Sequence, residues 1–369
     1  MRVELHRPRD PAWEDSLADV PRDIYHTAGF HQYAEGSGEG TAFLAVVGDR
    51  SRGLAWPYLT RNVANVPELA GFDARDVTSV YGYPGPLAWG CQPGDEFLAD
   101  AWKSLVDLWR GQRVVAVFTR FHPLLGNAAL VADFHGTADS DRDPGVTSLG
   151  PTVSIDCTLD DEAARTHYDS KVRRVIDRSR ADGVSTVEDV DWTRLPEFTR
   201  LYRDTMIHNN AAASFFFDNS DFARLRAALP EEAHLLITVL GDAVVAAGIL
   251  MEFGGIVQTY LSASDRSIHP SPKPLFYDDV RRWARLRGNS VFHLGGGRGS
   301  REDSLFDFKS RFSSRRHTFH IGRWILDQHL YRAMADTQRL ATMQTSVPDD
   351  NGFFPAYRSE GVRPYGSPG

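Results

Sequence analysis

Apolar and polar residues alternate along TAFLAVVG (41–48) and RGLAWPYLT (52–60), joined through GDRS, and this period of two predicts an antiparallel hairpin. A further strand is expected in VTSVYGYPGPLAWG (77–90). Phe97, Leu98, Ala101, Trp102, Leu105 and Leu108 then recur at helical spacing, so a helix is expected over 97–112, followed by a buried strand in VVAVFTRF. The second half repeats the order: AHLLITVL and AVVAAGILMEF about the Gly241-Asp242 turn, then GIVQTYLSAS, a helix, and SVFHLGG. One architecture is used twice.

The second of these helices is clearly punctuated. Pro274 suits a first turn, Gly288 suits a left-handed C-cap, and Phe276, Val280, Trp283 and Ala284 form one apolar stripe. GTADSDRDPGVTSLGP (136–151) has the composition of an exposed connection. The expected division is therefore an N-terminal domain over 1–150, a C-terminal domain carrying the active site over 151–335, and an extended tail over 336–369.

A 42% hydrophobic composition over 369 residues supplies a core for each half. Cys91 and Cys157, without CxxC spacing, offer neither a disulfide framework nor a zinc site, so no metal is expected. The N-terminus has no apolar signal core and no run is long enough to insert in a membrane, so a cytoplasmic protein is expected. The net charge of −8 argues against a protein coated in nucleic acid. Basic residues nevertheless bunch at 171–180 and at 298–323, either as solvated faces or as phosphate contacts.

The segment LGGGRGSREDSLFDFKSRF (294–312) stands out. Gly295, Gly296, Gly297 and Gly299 permit a tight backbone path, and Ser300-x-x-Asp303 has the pattern of a capping box that starts a helix. On that helix Leu305, Phe308 and Phe312 form a stripe with Lys309 beside it. Bare backbone and a lysine aimed at one space suit an anion or a developing oxyanion; a plain strand-to-helix turn is the bland alternative. YDSKVRRVIDRSRADGV reads as a helix ended by Gly183, with an Asp169/Arg173 pair and an outer stripe of Lys171, Arg174 and Arg178. Phe215, Phe216 and Phe217, after the polar His208-Asn209-Asn210 break, are most simply core. YGYPGPL (81–87) is a rigid aromatic turn.

In this order, YGYPGPL, KVRRVIDRSRADGV, LYRDTM with NNAAASFFF, YLSAS, FHLGGG and DSLFDFKSRFSS resemble the Fem-type (FemABX) aminoacyl-tRNA-dependent transferases and the wider FemAB-like set, over roughly Phe30 to Tyr331. The resemblance implies an α/β (α+β) fold of two tandem GNAT-like domains, each a mixed central sheet flanked by helices. It implies that an amine attacks an amino acid esterified to tRNA and gives an amide, with no further cofactor. The amine belongs to a peptide, a cell-wall precursor or a natural-product-like metabolite.

By matching position, Lys309 would stabilise the oxyanion or an adjacent phosphate, with Asp303 beside it in the catalytic group. Tyr81, Tyr83, Lys171, Arg174, Asn210, Phe216, Tyr260, His293, Gly296, Gly297, Arg298 and Phe306 would bind substrate, and Arg178, Arg311, Arg315 and Arg316 would bind tRNA. Unlike some members, the chain has no long heptad-patterned insertion. Candidate bases are Glu302, Asp303 and His293, each of which also reads as a cap or a satisfied core residue.

Two other functions compete. An acyl-CoA-dependent N-acyltransferase would hold pyrophosphate on a glycine-rich turn between the central strand and the next helix. Here that place is SDRSIHPSPKPL, which has no glycine and has prolines that each remove a donor. A non-catalytic peptide-binding protein is the third reading.

Overall fold

The computed structural model describes residues 1–134, 145–342 and 353–358. The chain divides into two units, Met1–Ser148 with Phe319–Gly369, and Leu149–Thr318.

In the first unit the alternating segments become β1 (Val3–His6), β2 (Thr41–Gly48), β3 (Gly53–Asn62), β4 (Arg75–Thr78), β5 (Leu87–Trp89) and β6 (Val114–Arg120). Short helices α1 (Ala12–Ser16) and α2 (Ala28–Gly36) precede the hairpin, and α3 (Glu96–Gly111) links β5 to β6. β1, β2, β3 and β4 pair antiparallel in that order, β5 also pairs with β3, and β4 pairs parallel with β6. The strand expected over 77–90 is two strands, because Gly82, Pro84 and Pro86 interrupt it with the turn that separates β4 from β5. The apolar stripe of α3 buries Phe97, Leu98, Ala101, Trp102, Leu105 and Trp109. Trp102 and Trp109 meet Trp56 of β3 at ring distances of 5.4 and 5.7 Å.

The second unit holds the body of β7 (Gly145–Asp156), followed by α4 (Asp161–Thr166), α5 (Ser170–Ala181) and β8 (Ser185–Glu188). Then come α6 (Leu195–His208), α7 (Asn219–Ala228), β9 (Ala233–Leu240), β10 (Ala243–Phe253), β11 (Ile256–Ser264), α8 (Lys273–Leu286), β12 (Val291–Gly295) and α9 (Ser304–Ser310). The strand order β7-β12-β11-β10-β9-β8 is antiparallel except for the parallel β11/β12 pair, which α8 connects. Val172 and Ile176 of α5 and Phe276, Val280 and Ala284 of α8 cover Val153, Ile155, Phe292 and Leu294. Gly288 (φ +84°) ends α8 as its position predicts. Hairpin, third strand, helix and parallel strand thus occur in both units.

β13 (Arg316–Ile325) carries the chain back to the first unit, where Ile321–Ile325 pairs antiparallel with β6. Residues 319–335 therefore belong with the first unit and not with the active-site domain. The extended tail expected from 336 is corrected for its described residues: α10 (Gln328–Thr342) takes in 336–342 and buries Gln338, and Ala356–Arg358 are buried in the same unit. Within that packing Asp76, fully buried, pairs with Arg61 at 2.6 Å and with Arg358. The connection expected over 136–151 lies partly outside the described residues, and from Gly145 it is already strand β7.

Candidate active site

The parallel β11/β12 ladder joins only Ile256–Gln258 to Val291–His293. Beyond it β11 runs on to Ser264 while β12 ends in the glycine turn, so the two strands part. Gly297 is obligatory in that turn: a Cβ there would stand 1.9 Å from the Arg301 carbonyl and 2.5 Å from Asp303 Oδ1.

The helix after the turn starts later than its sequence pattern suggests. Asp303, not Ser300, caps α9, its Oδ1 accepting from the backbone N–H groups of Leu305 and Phe306 at 3.1 Å. Ser300 lies in the left-handed region at φ +60°. Phe306 is 5% exposed and packs in the hydrophobic core of the second unit. Arg298 Nε pairs with Asp303 Oδ2 at 3.0 Å. Partial desolvation pushes the Asp303 carboxyl up, but the Phe306 N–H and the Arg298 guanidinium outweigh it and hold the group below the usual range. Asp303 is thus an ionised cap with both oxygens engaged.

Lys309 is 8% exposed, and its Nζ donates to the Gly296 carbonyl at 2.6 Å. Burial, and then the charge of Lys273, lower its pKa to about 7 against a small opposing effect of Asp303. Lys273, half-buried at the first turn of α8, was not singled out in the sequence. Its Nζ lies 5.7 Å above the ring centre of Phe308, and burial followed by Arg266 and Arg298 lowers its pKa to about 8. Phe308 stands edge-on to Tyr277 at 5.4 Å, and Tyr277 Oη lies 3.3 Å from Ser262 Oγ on β11.

His293, a candidate base, is fully buried. Its Nδ1 meets Gln258 Oε1 at 2.6 Å and its Nε2 meets Thr152 Oγ1 at 2.9 Å, so it ties β11, β12 and β7 together. Glu302 is exposed, and Tyr260 is half-buried on β11.

The backbone N–H of Asp169 donates to the Arg311 carbonyl at 2.7 Å, which brings the first turn of α5 beside the end of α9. Lys171, Arg174 and Arg311 are exposed there. Asp169, expected to pair with Arg173, instead caps α5 through the Lys171 N–H. Of the expected RNA contacts, Arg178 pairs with Asp182 at 2.7 Å and Arg315 with Asp156 at 2.5 Å, both at the surface. Arg316 donates to the Ser313 carbonyl at 2.6 Å and covers the Phe306 ring. Asn210 is exposed at φ +48°, and Phe216 is 41% exposed, which corrects the expectation that the phenylalanines there are core.

Tyr81 and Tyr83 belong to the first unit. Asn127 Nδ2 donates to the carbonyls of Pro84 and Pro86 at 2.8 and 3.0 Å, and His26 Nε2 holds the Pro84 carbonyl at 2.8 Å. A Cβ on Gly82 would fall within 2.1 Å of the Tyr25 ring. The turn is therefore rigid. The Arg120 guanidinium covers Tyr81 at 5.7 Å, and burial pushes the nearby Glu39 carboxyl up to about 8, against the pull of Arg120.

A parallel strand pair that parts beyond its ladder, with helix α8 between its members, is the arrangement of a GNAT fold. Residues 163–310 match the family model described as an acetyltransferase (GNAT) domain. No curated protein sequence matches the chain. Among solved structures, FemX superposes with a TM-score of 0.66 at 13% identity, over 90% of this chain and 99% of its own. L-PGS from Bacillus licheniformis gives 0.51 at 12%, over 88% and 94%. A conserved protein of unknown function from Bacteroides thetaiotaomicron gives 0.51 at 11%, over 85% and 97%. The chain has the FemABX-like tandem GNAT fold. Among the described residues no helix is long and apolar enough to cross a membrane.

Proposed function

We propose that this protein moves an amino acid from its ester on tRNA to the amine of a peptide or small-molecule acceptor. The amine nitrogen bonds to the ester carbonyl carbon, the C–O bond to the ribose breaks, and the proton lost by the amine balances the one gained by the leaving hydroxyl. The observation that carries this reading is Lys309, a buried ammonium fixed on the Gly296 carbonyl beside the gap between β11 and β12. A cation so placed stabilises the tetrahedral oxyanion in a site where water competes little. Since the ester is already activated, little further acid–base assistance is needed. The likeness to FemX and the exposed Lys171, Arg174 and Arg311 support an RNA-borne donor.

The test supplies a pool of tRNA charged with labelled amino acids and follows label entering small amines and peptides. Ribonuclease-sensitive amide formation that disappears in Lys309→Ala supports the reading, and transfer from acyl-CoA alone refutes it. The match of residues 163–310 to an acetyltransferase domain favours acyl-CoA as the second reading.

A further inference from the structure

We infer that Lys273, Lys309 and Arg298 form a side-chain cradle for a phosphate ester group of the acyl donor. The inference deepens the reading above, in which the donor is a nucleotide ester. The backbone between β11 and α8 offers little to an anion. Pro270, Pro272 and Pro274 have no N–H, Phe276 N–H is spent on the Pro272 carbonyl at 3.1 Å, and Lys273 N–H faces Ser271 Oγ at 3.4 Å.

Charge is supplied by side chains instead. The Lys273 ammonium lies over Phe308, the chain neighbour of Lys309. An ammonium has three N–H donors, and among the described residues the Lys309 group meets one acceptor, the Gly296 carbonyl. Neither lysine makes an ion pair among those residues. The groups facing Lys273 are Arg266, Arg298 and Lys309, and those facing Lys309 are Lys273 and Asp303. Asp303 spends one oxygen on the N–H groups of Leu305 and Phe306 and the other on Arg298.

The two lysines and Arg298 therefore share one carboxylate that is already engaged. A single carboxylate ligand would leave most of that excess uncompensated, whereas a phosphate group brings more charge and several acceptors to lysines and guanidinium forks. The parting of β11 from β12 leaves the approach free of ladder hydrogen bonds.

The experiment titrates the full chain with inorganic sulfate, and separately with inorganic pyrophosphate, by calorimetry in two buffers of different ionisation enthalpy. Because sulfate has no proton to release in this range and favours the charged lysines, sulfate binding is expected to take up protons between pH 7 and 9 and to weaken as pH rises. Lys273→Gln should weaken binding by about 10- to 100-fold, the loss of one charged hydrogen bond, and Lys273→Arg should retain most of it. Cooperative unfolding transitions in both variants confirm that they are folded. No binding of either anion, sulfate binding without proton uptake, or an unaltered Lys273→Gln isotherm would each overturn the inference.

Parallel titrations with adenosine 5′-monophosphate and coenzyme A show which donor's phosphate the cradle takes. Pyrophosphate binding that needs Lys273, without transfer from charged tRNA, leaves the cradle standing and removes the tRNA reading. Transfer from charged tRNA at unchanged KM in Lys273→Gln does the reverse.

Discussion

Replacing Lys309 by methionine should stabilise the protein while disabling it. Its ammonium is buried and lacks a carboxylate partner among the described residues, so the folded chain holds it at a cost. Between the ordinary lysine value of 10.5 and about 7, at ~1.36 kcal/mol per pH unit, that cost is on the order of 5 kcal/mol when the group is fully charged. Methionine fills a similar volume and returns part of it, offset by the lost hydrogen bond to Gly296, so a net gain of about 1–3 kcal/mol is expected near pH 6.

The sign with pH follows from proton counting. Between about pH 7 and 10.5 the unfolded lysine holds a proton that the folded one has released, so stability conferred at this position rises with pH. The advantage of Lys309→Met over the natural protein should therefore shrink steadily from pH 7 to pH 10. Paired urea denaturation curves at pH 6, 7.5 and 9.5, in phosphate-free buffer, measure it. A mutant less stable than the natural protein at pH 6, or a difference that does not change with pH, would refute the argument that Lys309 is a desolvated cation held for function.

Three other perturbations have definite outcomes. Lys309→Ala should reduce the turnover of the transfer reaction about 10²- to 10³-fold, the loss expected for one oxyanion donor, and raise the KM for the donor but not for the acceptor amine, read by steady-state kinetics. His234 lies 2.7 Å from Glu188 and 3.1 Å from Glu252; burial lowers its pKa, but the hydrogen bonds to Glu252 and Glu188 prevail and raise it. Its contribution is present below the unfolded value and lost as pH rises through the folded one, so His234→Gln should cost about 1–2 kcal/mol at pH 5.5 and less at pH 8 by thermal melts. Arg358→Ala strips a buried partner from Asp76 and should cost about 3–5 kcal/mol in urea unfolding, with Asp76→Asn/Arg358→Ala recovering part of it.

Much of the fold is legible because its cues are local. The 41–60 hairpin, α3 and α8 follow from alternation, helical stripes and the left-handed Gly288, and each is fixed by residues within a few positions of itself. The errors arise where a distant contact decides. A Pro/Gly-rich tail reads as solvated until Arg358 meets Asp76, far away in the sequence. In the 298–312 segment two residues compete to cap one helix; Asp303 takes the place expected of Ser300, and Phe306 is buried more fully than Leu305 of the expected stripe. Lys309 was legible because it sits in a patterned helix. Lys273 was not, since a lysine among prolines looks like loop until Phe308 is folded beneath it.

The two kinds of anion site differ in what they couple to. A cradle of glycine N–H groups carries fixed dipoles that do not titrate in the physiological range, so its grip on phosphate is indifferent to pH. A cradle of half-desolvated lysines gains full charge only when the ligand arrives, because the phosphate offsets the burial and mutual repulsion that hold Lys273 and Lys309 near 8 and 7. Donor binding would then charge the same Lys309 proposed to face the developing oxyanion, so that binding energy is used to prepare the group for the next step. In such a site the donor-saturated rate should keep its plateau to higher pH than the rate at low donor concentration. Coincident pH profiles for kcat and kcat/KM would show that donor binding does not charge the lysines, and would break the link between cradle and catalysis.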